Sequence, residues 1–130
     1  MITNGLVIAQ GSKFEYEEST NFSLPFYKLF DNGDELRSAV VQYFSQDCGT
    51  NNRCEIGQKY GWSMNSWNVS RVTGMGNLFD EVPSFNRSIC SWDVSSVTNM
   101  QYMFSDSSLF NGDIGTWDVS SVTDLSSWDN

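Results

Sequence analysis

Three cysteines and a scatter of carboxylates are the reactive groups of this 130-residue chain, and their spacing limits the chemistry open to them. Cys48 and Cys54 flank GTNNR, a loop rich in glycine and asparagine, and a disulfide closing so short a loop forms without long-range order. Cys90 stands apart and is expected to be a small buried or half-buried thiol rather than a nucleophile. There is no CxxC pair and no histidine. A zinc site of the usual nitrogen and sulfur type therefore lacks ligands, and serine-hydrolase or imidazole acid/base chemistry is excluded by composition.

Carboxylate catalysis stays formally open, because Asp80, Glu81, Asp93, Asp106, Asp113 and Asp118 could converge in pairs. Their placement argues against it. Asp93 and Asp118 recur at the same point of a repeated phrase, so they are expected to do the same structural job twice, whereas a catalytic pair needs two different environments. Calcium suits stacked Asp and Asn oxygens better, as a hard cation that takes oxygen ligands. No other cofactor is expected.

The elements that position these groups are written as a repeat. WNVSRVTGMGNLF from Trp67, WDVSSVTNMQYMF from Trp92 and WDVSSVTDLSSW from Trp117 are spaced by 25 residues. Val69, Val94 and Val119 align, as do Val72, Val97 and Val122, then Met75, Met100 and Leu125, then Leu78, Met103 and Trp128. Phe79 aligns with Phe104, Phe85 with Phe110 and Ile89 with Ile114. A fixed period of this size marks stacked units, none of which can bury its apolar face alone. The columns then read as ladders of like side chains in a core, with a ligand or cofactor surface as the competing reading. Tryptophan is the column with most freedom, since an indole buries a large apolar area but needs a partner for its N–H and often sits where one side is wet. Trp67, Trp92, Trp117 and Trp128 are accordingly the interaction candidates.

Within one unit, Val94, Val97, Met100 and Met103 fall at steps of three, which predicts a helical or 3-10 segment with Asp93 and Ser95 as N-caps. The remainder, SLFNGDIGTW, predicts one short strand per coil. Upstream, DNGDELRSAVVQYFSQDCG places Leu36, Ala39, Val40, Tyr43 and Phe44 on one helical face, with Asp34 as N-cap and Gly49 as stop. That helix is expected to cover the first coil; docking a receptor is the alternative use of its apolar face.

FNRSICSWDVSSVTNMQYMFSDSS and FNGDIGTWDVSSVTDLSSW resemble the BspA-like surface-protein repeat, the DUF285 repeat, a divergent relative of leucine-rich repeats. The likeness covers about residues 60 to 130, and residues 30 to 66 resemble the segment that often precedes such arrays. The resemblance implies a curved α/β solenoid of 25-residue coils, a role in adhesion or protein interaction, no catalytic residue, and an oxidising, extracellular or cell-surface setting in which the Cys48 to Cys54 bridge would persist. The expected organisation is an irregular arm over 1–30, a capping helix and cysteine loop over 31–66, and two and a half repeats over 67–130.

A formal charge of −9, with only two basic residues after position 66, disfavours nucleic acid as a partner. No run reaches the ~18 apolar residues of a membrane helix, and no signal peptide is visible at the start. Asn21, Asn68 and Asn86 begin Asn-x-Ser triplets and are glycosylation candidates if the chain is secreted. Two function classes follow: a non-catalytic interaction or adhesion module, and a structural subunit whose last coil packs on another chain through Val119, Val122, Leu125 and Trp128. An ice- or mineral-binding surface would need flat arrays of Thr, and only one Thr column exists, Thr73, Thr98 and Thr123.

Overall fold

The computed structural model describes residues 26–127. Helix α1 spans Gly33–Ser45, helix α2 spans Glu55–Tyr60, and a single 3-10 turn spans Met64–Ser66. All three precede the repeats. Leu36, Ala39, Val40 and Tyr43 of α1 are buried, side chains of the size of Leu36 and Val40 each being worth about 1.5–3 kcal/mol when removed from water. The N-cap is Asn32 rather than Asp34: its Oδ1 accepts from the Glu35 amide at 2.8 Å, and Asp34 and Glu35 instead place negative charge in the first turn, where the helix dipole favours it. Nor does Gly49 end the helix. Asp47 takes a left-handed conformation (φ 55°), while the amides of Asp47 and Cys48 donate to Phe44 O and Tyr43 O, the paired bonds of a Schellman cap.

From Trp67 onward the chain runs in stacked coils whose backbone bonds repeat the sequence period. Met75 N–H donates to Asn99 O and Met100 N–H to Asp124 O; Thr98 N–H donates to Thr73 O and Thr123 N–H to Thr98 O. The expected α/β solenoid of coils with one strand and one helical turn each does not form, and the leucine-rich-repeat comparison falls with it. Among the described residues no strand occurs, and the coils contain no helix. Parallel pairing is confined to single bridges, Gly74 to Asn99 and Asn99 to Asp124, and these lie in the segment that the spacing read as helical.

The physical reason is legible in the hydrogen bonds. Val97 N–H to Val94 O and Met103 N–H to Met100 O close separate turns, interrupted by the extended residues that make the bridge. Consecutive turns bring every third side chain inward just as a 3-10 helix does. Asn77, Tyr102 and Ser127, one per coil at the same repeat position, all have positive φ (58°, 56° and 51°), which breaks any helix and limits the pairing to one residue. Asp93 and Asp118 are not helix caps. Each Oδ1 accepts from the amide and hydroxyl of the Ser two positions on, Ser95 or Ser120, in an Asx turn, and Asn68 does the same with Ser70. The segment expected to be a strand carries turns, Phe110 N–H to Ser107 O and Trp117 N–H to Ile114 O.

The core is one continuous cluster running from Phe30 to Trp117. Phe79 and Phe85 stack with centroids 3.8 Å apart, Phe104 and Phe110 at 4.5 Å, and Phe85 meets Phe110 across the coils at 5.2 Å. Helix α1 takes the place of a preceding coil. Gly74 O faces the start of α1 so closely that a Cβ at Gly33 would collide with it, whereas the same position in the next two coils, Asn99 O and Asp124 O, accepts from the coil before. Arg37 extends the seal, donating from Nε to Asn77 O and from Nη2 to Asp80 at 2.6 Å and Glu81 at 2.9 Å. Of the arm, only residues from 26 are described; there Lys28 N–H donates to Lys59 O and Phe30, fully buried, to Asn68 O.

Candidate functional site

Two hollows of similar size flank α1, and they differ in what their polar groups are doing. The first, about 520 Å³, contains Lys28, Asp31, Glu35 and Tyr60, and these satisfy one another. Lys28 Nζ donates to Glu35 Oε2 at 2.8 Å, Tyr60 Oη to the same oxygen at 2.7 Å, and the Asp31 amide to Oε1 at 2.9 Å. Burial pushes the Glu35 carboxyl up, but the bonds from Lys28, the Asp31 amide and Tyr60 together outweigh it and hold the group at about 2. Burial and the bond to Glu35 move the Tyr60 phenol well above its usual range. This is a structural clamp that ties the arm, α1 and α2 together.

The clamp has a pH consequence. A carboxylate whose folded pKa is depressed from 4.5 to about 2 contributes stability that is fully present above about 4.5 and is lost as pH falls from there toward 2. Because Lys28 and Glu35 are partly exposed, the contribution is discounted for solvent screening to about 1–2 kcal/mol. Urea unfolding at about pH 6 and about pH 3 checks this: pH 3 still lies above the folded value, so the wild type should lose more stability between them than Glu35→Gln by a little over half that amount. Equal losses would remove the clamp from the account.

The second hollow is a cleft of about 500 Å³ where the cysteine loop, the segment after α2 and the first coil meet. The loop is fixed by the Cys48–Cys54 disulfide, with Cα atoms 5.3 Å apart, and Cys54 also caps α2, its Sγ accepting from the Gly57 amide. Trp62 forms one wall. Its indole lies on Gly57, where a Cβ would overlap the ring, and its carbonyl accepts from Tyr43 Oη at 3.1 Å. Trp62 is 39% exposed. Arg87 forms the opposite lip, with its guanidinium carbon 5.8 Å from the Tyr43 ring centre and 5.9 Å from that of Phe44.

What separates this cleft from the first is uncommitted chemistry. Trp67, Trp92 and Trp117 are buried, and each donates its indole N–H to a backbone carbonyl, of Gly61, Met64 and Ile89 respectively. No such bond engages the indole N–H of Trp62 among the described residues. Arg37 and Arg71 are ion-paired, whereas among the described residues no ion pair engages Arg53 or Arg87, and the Arg87 guanidinium lies against Gly49 and near the rings of Tyr43 and Phe44. The Asn52 side chain, on the cleft rim, likewise makes no hydrogen bond within the described residues. An indole face, a guanidinium and an amide thus converge on one space.

The DUF285 family model, described as a Mycoplasma protein of unknown function, matches residues 41–128, which includes every residue of the cleft. The chain belongs to the DUF285 family. No curated protein and no solved structure matches it.

Placed on this DUF285 chain, the residues singled out from sequence fall as follows. Trp67, Trp92 and Trp117 lie inside, with both the ring and the N–H engaged, so they offer no interaction surface; Trp128 lies outside the described residues. Asn21 also lies outside them. Asn68 and Asn86 are exposed, but their Oδ1 atoms accept from Ser70 and from the Asn111 amide. Asp93 and Asp118 spend their oxygens on serines, which hold both carboxyls below the usual range, and among the described residues no cluster of three acidic or sulfur ligands is arranged for calcium or another metal. Cys90 is half-buried, its thiol contacted by Ser88 Oγ at 3.5 Å. Among the described residues no helix is long and apolar enough to cross a membrane.

The last described coil presents a different surface. Val119 is 41% and Leu125 43% exposed, where their counterparts Val94 and Met100 are buried, and Val122 is only partly covered. Sequence reasoning anticipated this edge but missed the cleft: Trp62 and Arg87 belong to no repeat column, and their distinction is the absence of a partner, which only the three-dimensional arrangement reveals.

Proposed function

We propose that this DUF285 chain is a non-catalytic interaction module of a cell surface or the extracellular space, binding through the cleft between its cysteine loop and first coil. The observation that carries the reading is the meeting in one cleft of Trp62 and Arg87, two residue types enriched at binding hot spots: among the described residues the Trp62 indole N–H lacks the backbone bond made by Trp67, Trp92 and Trp117, and Arg87 lacks the ion pairs made by Arg37 and Arg71. The disulfide supports an oxidising address. The second reading, a structural subunit, is favoured by the exposed edge at Val119 and Leu125. Because α1 occupies the opposite end, two copies would meet there tail to tail about a two-fold axis rather than head to tail.

Two variants separate the readings. Binding of fluorescently labelled chain to intact cells should fall about tenfold or more in the Trp62→Ala/Arg87→Ala double variant and be unchanged in Leu125→Glu. Unaltered binding by the double variant contradicts the cleft reading. Sedimentation at micromolar concentration tests the other: a dimer abolished by Leu125→Glu supports assembly through the edge, and a monomer at all concentrations rejects it.

A further inference from the structure

We infer that the cleft takes a sugar carrying a carboxylate, such as a uronic or sialic acid residue at the end of a glycan; the inference rests on the cleft being the binding site proposed above. Trp62 lines the cleft and is partly exposed, and an indole offers a flat apolar platform whose negative π surface attracts the positively polarised C–H groups of a pyranose ring. The free indole N–H adds a donor at the rim of that platform. A sugar hydroxyl both donates and accepts, and the Asn52 amide can do both in return.

Arg87 supplies the charge preference. Its planar fork matches a carboxylate bidentately, and stacking on Tyr43 and Phe44 holds it in place, so little freedom is lost when a ligand arrives. A neutral sugar leaves this group unmatched; an acidic peptide matches it but makes no particular use of an indole platform beside an amide. With a formal charge of −9 the chain repels polyanions at long range. A single carboxylate seated on Arg87 brings one like charge within the screening length of about 8 Å at physiological salt, whereas a nucleic acid or a heavily sulfated chain brings many, so the single acid is favoured. The volume of about 500 Å³ fits one or two sugar rings.

Isothermal titration and saturation-transfer NMR with digalacturonic acid, sialyllactose, lactose and acetyl-Glu-Glu test the inference. At least one acidic sugar should bind with Kd of about 1 mM or tighter, and lactose about tenfold more weakly. Arg87→Ala should bring the acidic sugar down to the level of lactose, and Trp62→Ala should weaken both. Trp62→Phe, which retains a ring, should recover part of the loss, and circular dichroism establishes that each variant is folded. Acetyl-Glu-Glu binding as tightly as the sugars would overturn the inference in favour of an acidic peptide. So would indifference of the acidic sugar to Arg87→Ala, or no saturation by either acidic sugar at about 10 mM. In that last case, cell binding that still depends on Trp62 and Arg87 leaves the interaction reading standing and removes only the sugar; loss of that dependence removes both.

Discussion

Phe85→Ala is expected to destabilise the protein by about 3–5 kcal/mol, a large part of the ~5–15 kcal/mol that holds a typical domain together. Phe85 is fully buried and stacked on Phe79, it touches Phe110 of the next coil, and it meets Phe44 of α1 edge-on at 6.0 Å. Removing it opens a cavity where the helix and two coils join, and rigid rings on three sides leave little scope for collapse. Phe110→Ala is the comparison. That ring is only partly buried, so the same chemical change should cost about 1–2 kcal/mol less. Urea unfolding of both variants checks the order, and a Phe85→Ala loss below that of Phe110→Ala would contradict the account of the core.

The second large effect is that of reduction. Cys48 and Cys54 are separated by 6 positions, and closing so short a loop lowers the entropy of the unfolded chain by an amount worth about 2–2.5 kcal/mol at room temperature. Cys54 is also the N-cap of α2, which carries the residue under the Trp62 indole, so reduction should loosen the cleft as well as lower the melting temperature. Peptide mapping without reductant should recover the two residues joined and Cys90 alone. Melting with and without reductant then gives the magnitude. Should the double Cys→Ser variant melt with the wild type, the loop would be shown to hold its shape by hydrogen bonds alone.

Much of this arrangement was legible beforehand for a definite reason. A period of 25 residues requires that equivalent positions lie over one another, and the bonds from Met75 to Asn99 and from Met100 to Asp124 have that offset give or take one residue. Helix α1 was legible because Leu36, Ala39, Val40 and Tyr43 share a face over a long enough run. The internal form of each coil was not. Apolar residues at steps of three fit a 3-10 helix and a succession of separate turns equally well, and the deciding left-handed residues are Asn77, Tyr102 and Ser127, of which only the first is a type that favours that conformation. Asp34 misled for a similar reason: it and Asn32 are both capping types two positions apart, and only the side-chain bond from Asn32 chooses between them.

The turn-built coil makes the chain modular at the level of its gene. Each coil's backbone bonds run only to the coil before and the coil after, so duplicating 25 codons in phase would add one layer without changing a contact at the helical end. Each layer would carry the exposed edge about 4.8 Å further from the cleft, the spacing of hydrogen-bonded neighbours. Reach and the proposed binding chemistry could then be varied independently, the first by copy number and the second by point substitution around Trp62 and Arg87. An insertion beside Tyr102 that broke the 25-residue phase would instead put its left-handed position out of step with Asn77 and Ser127 in the layers on either side.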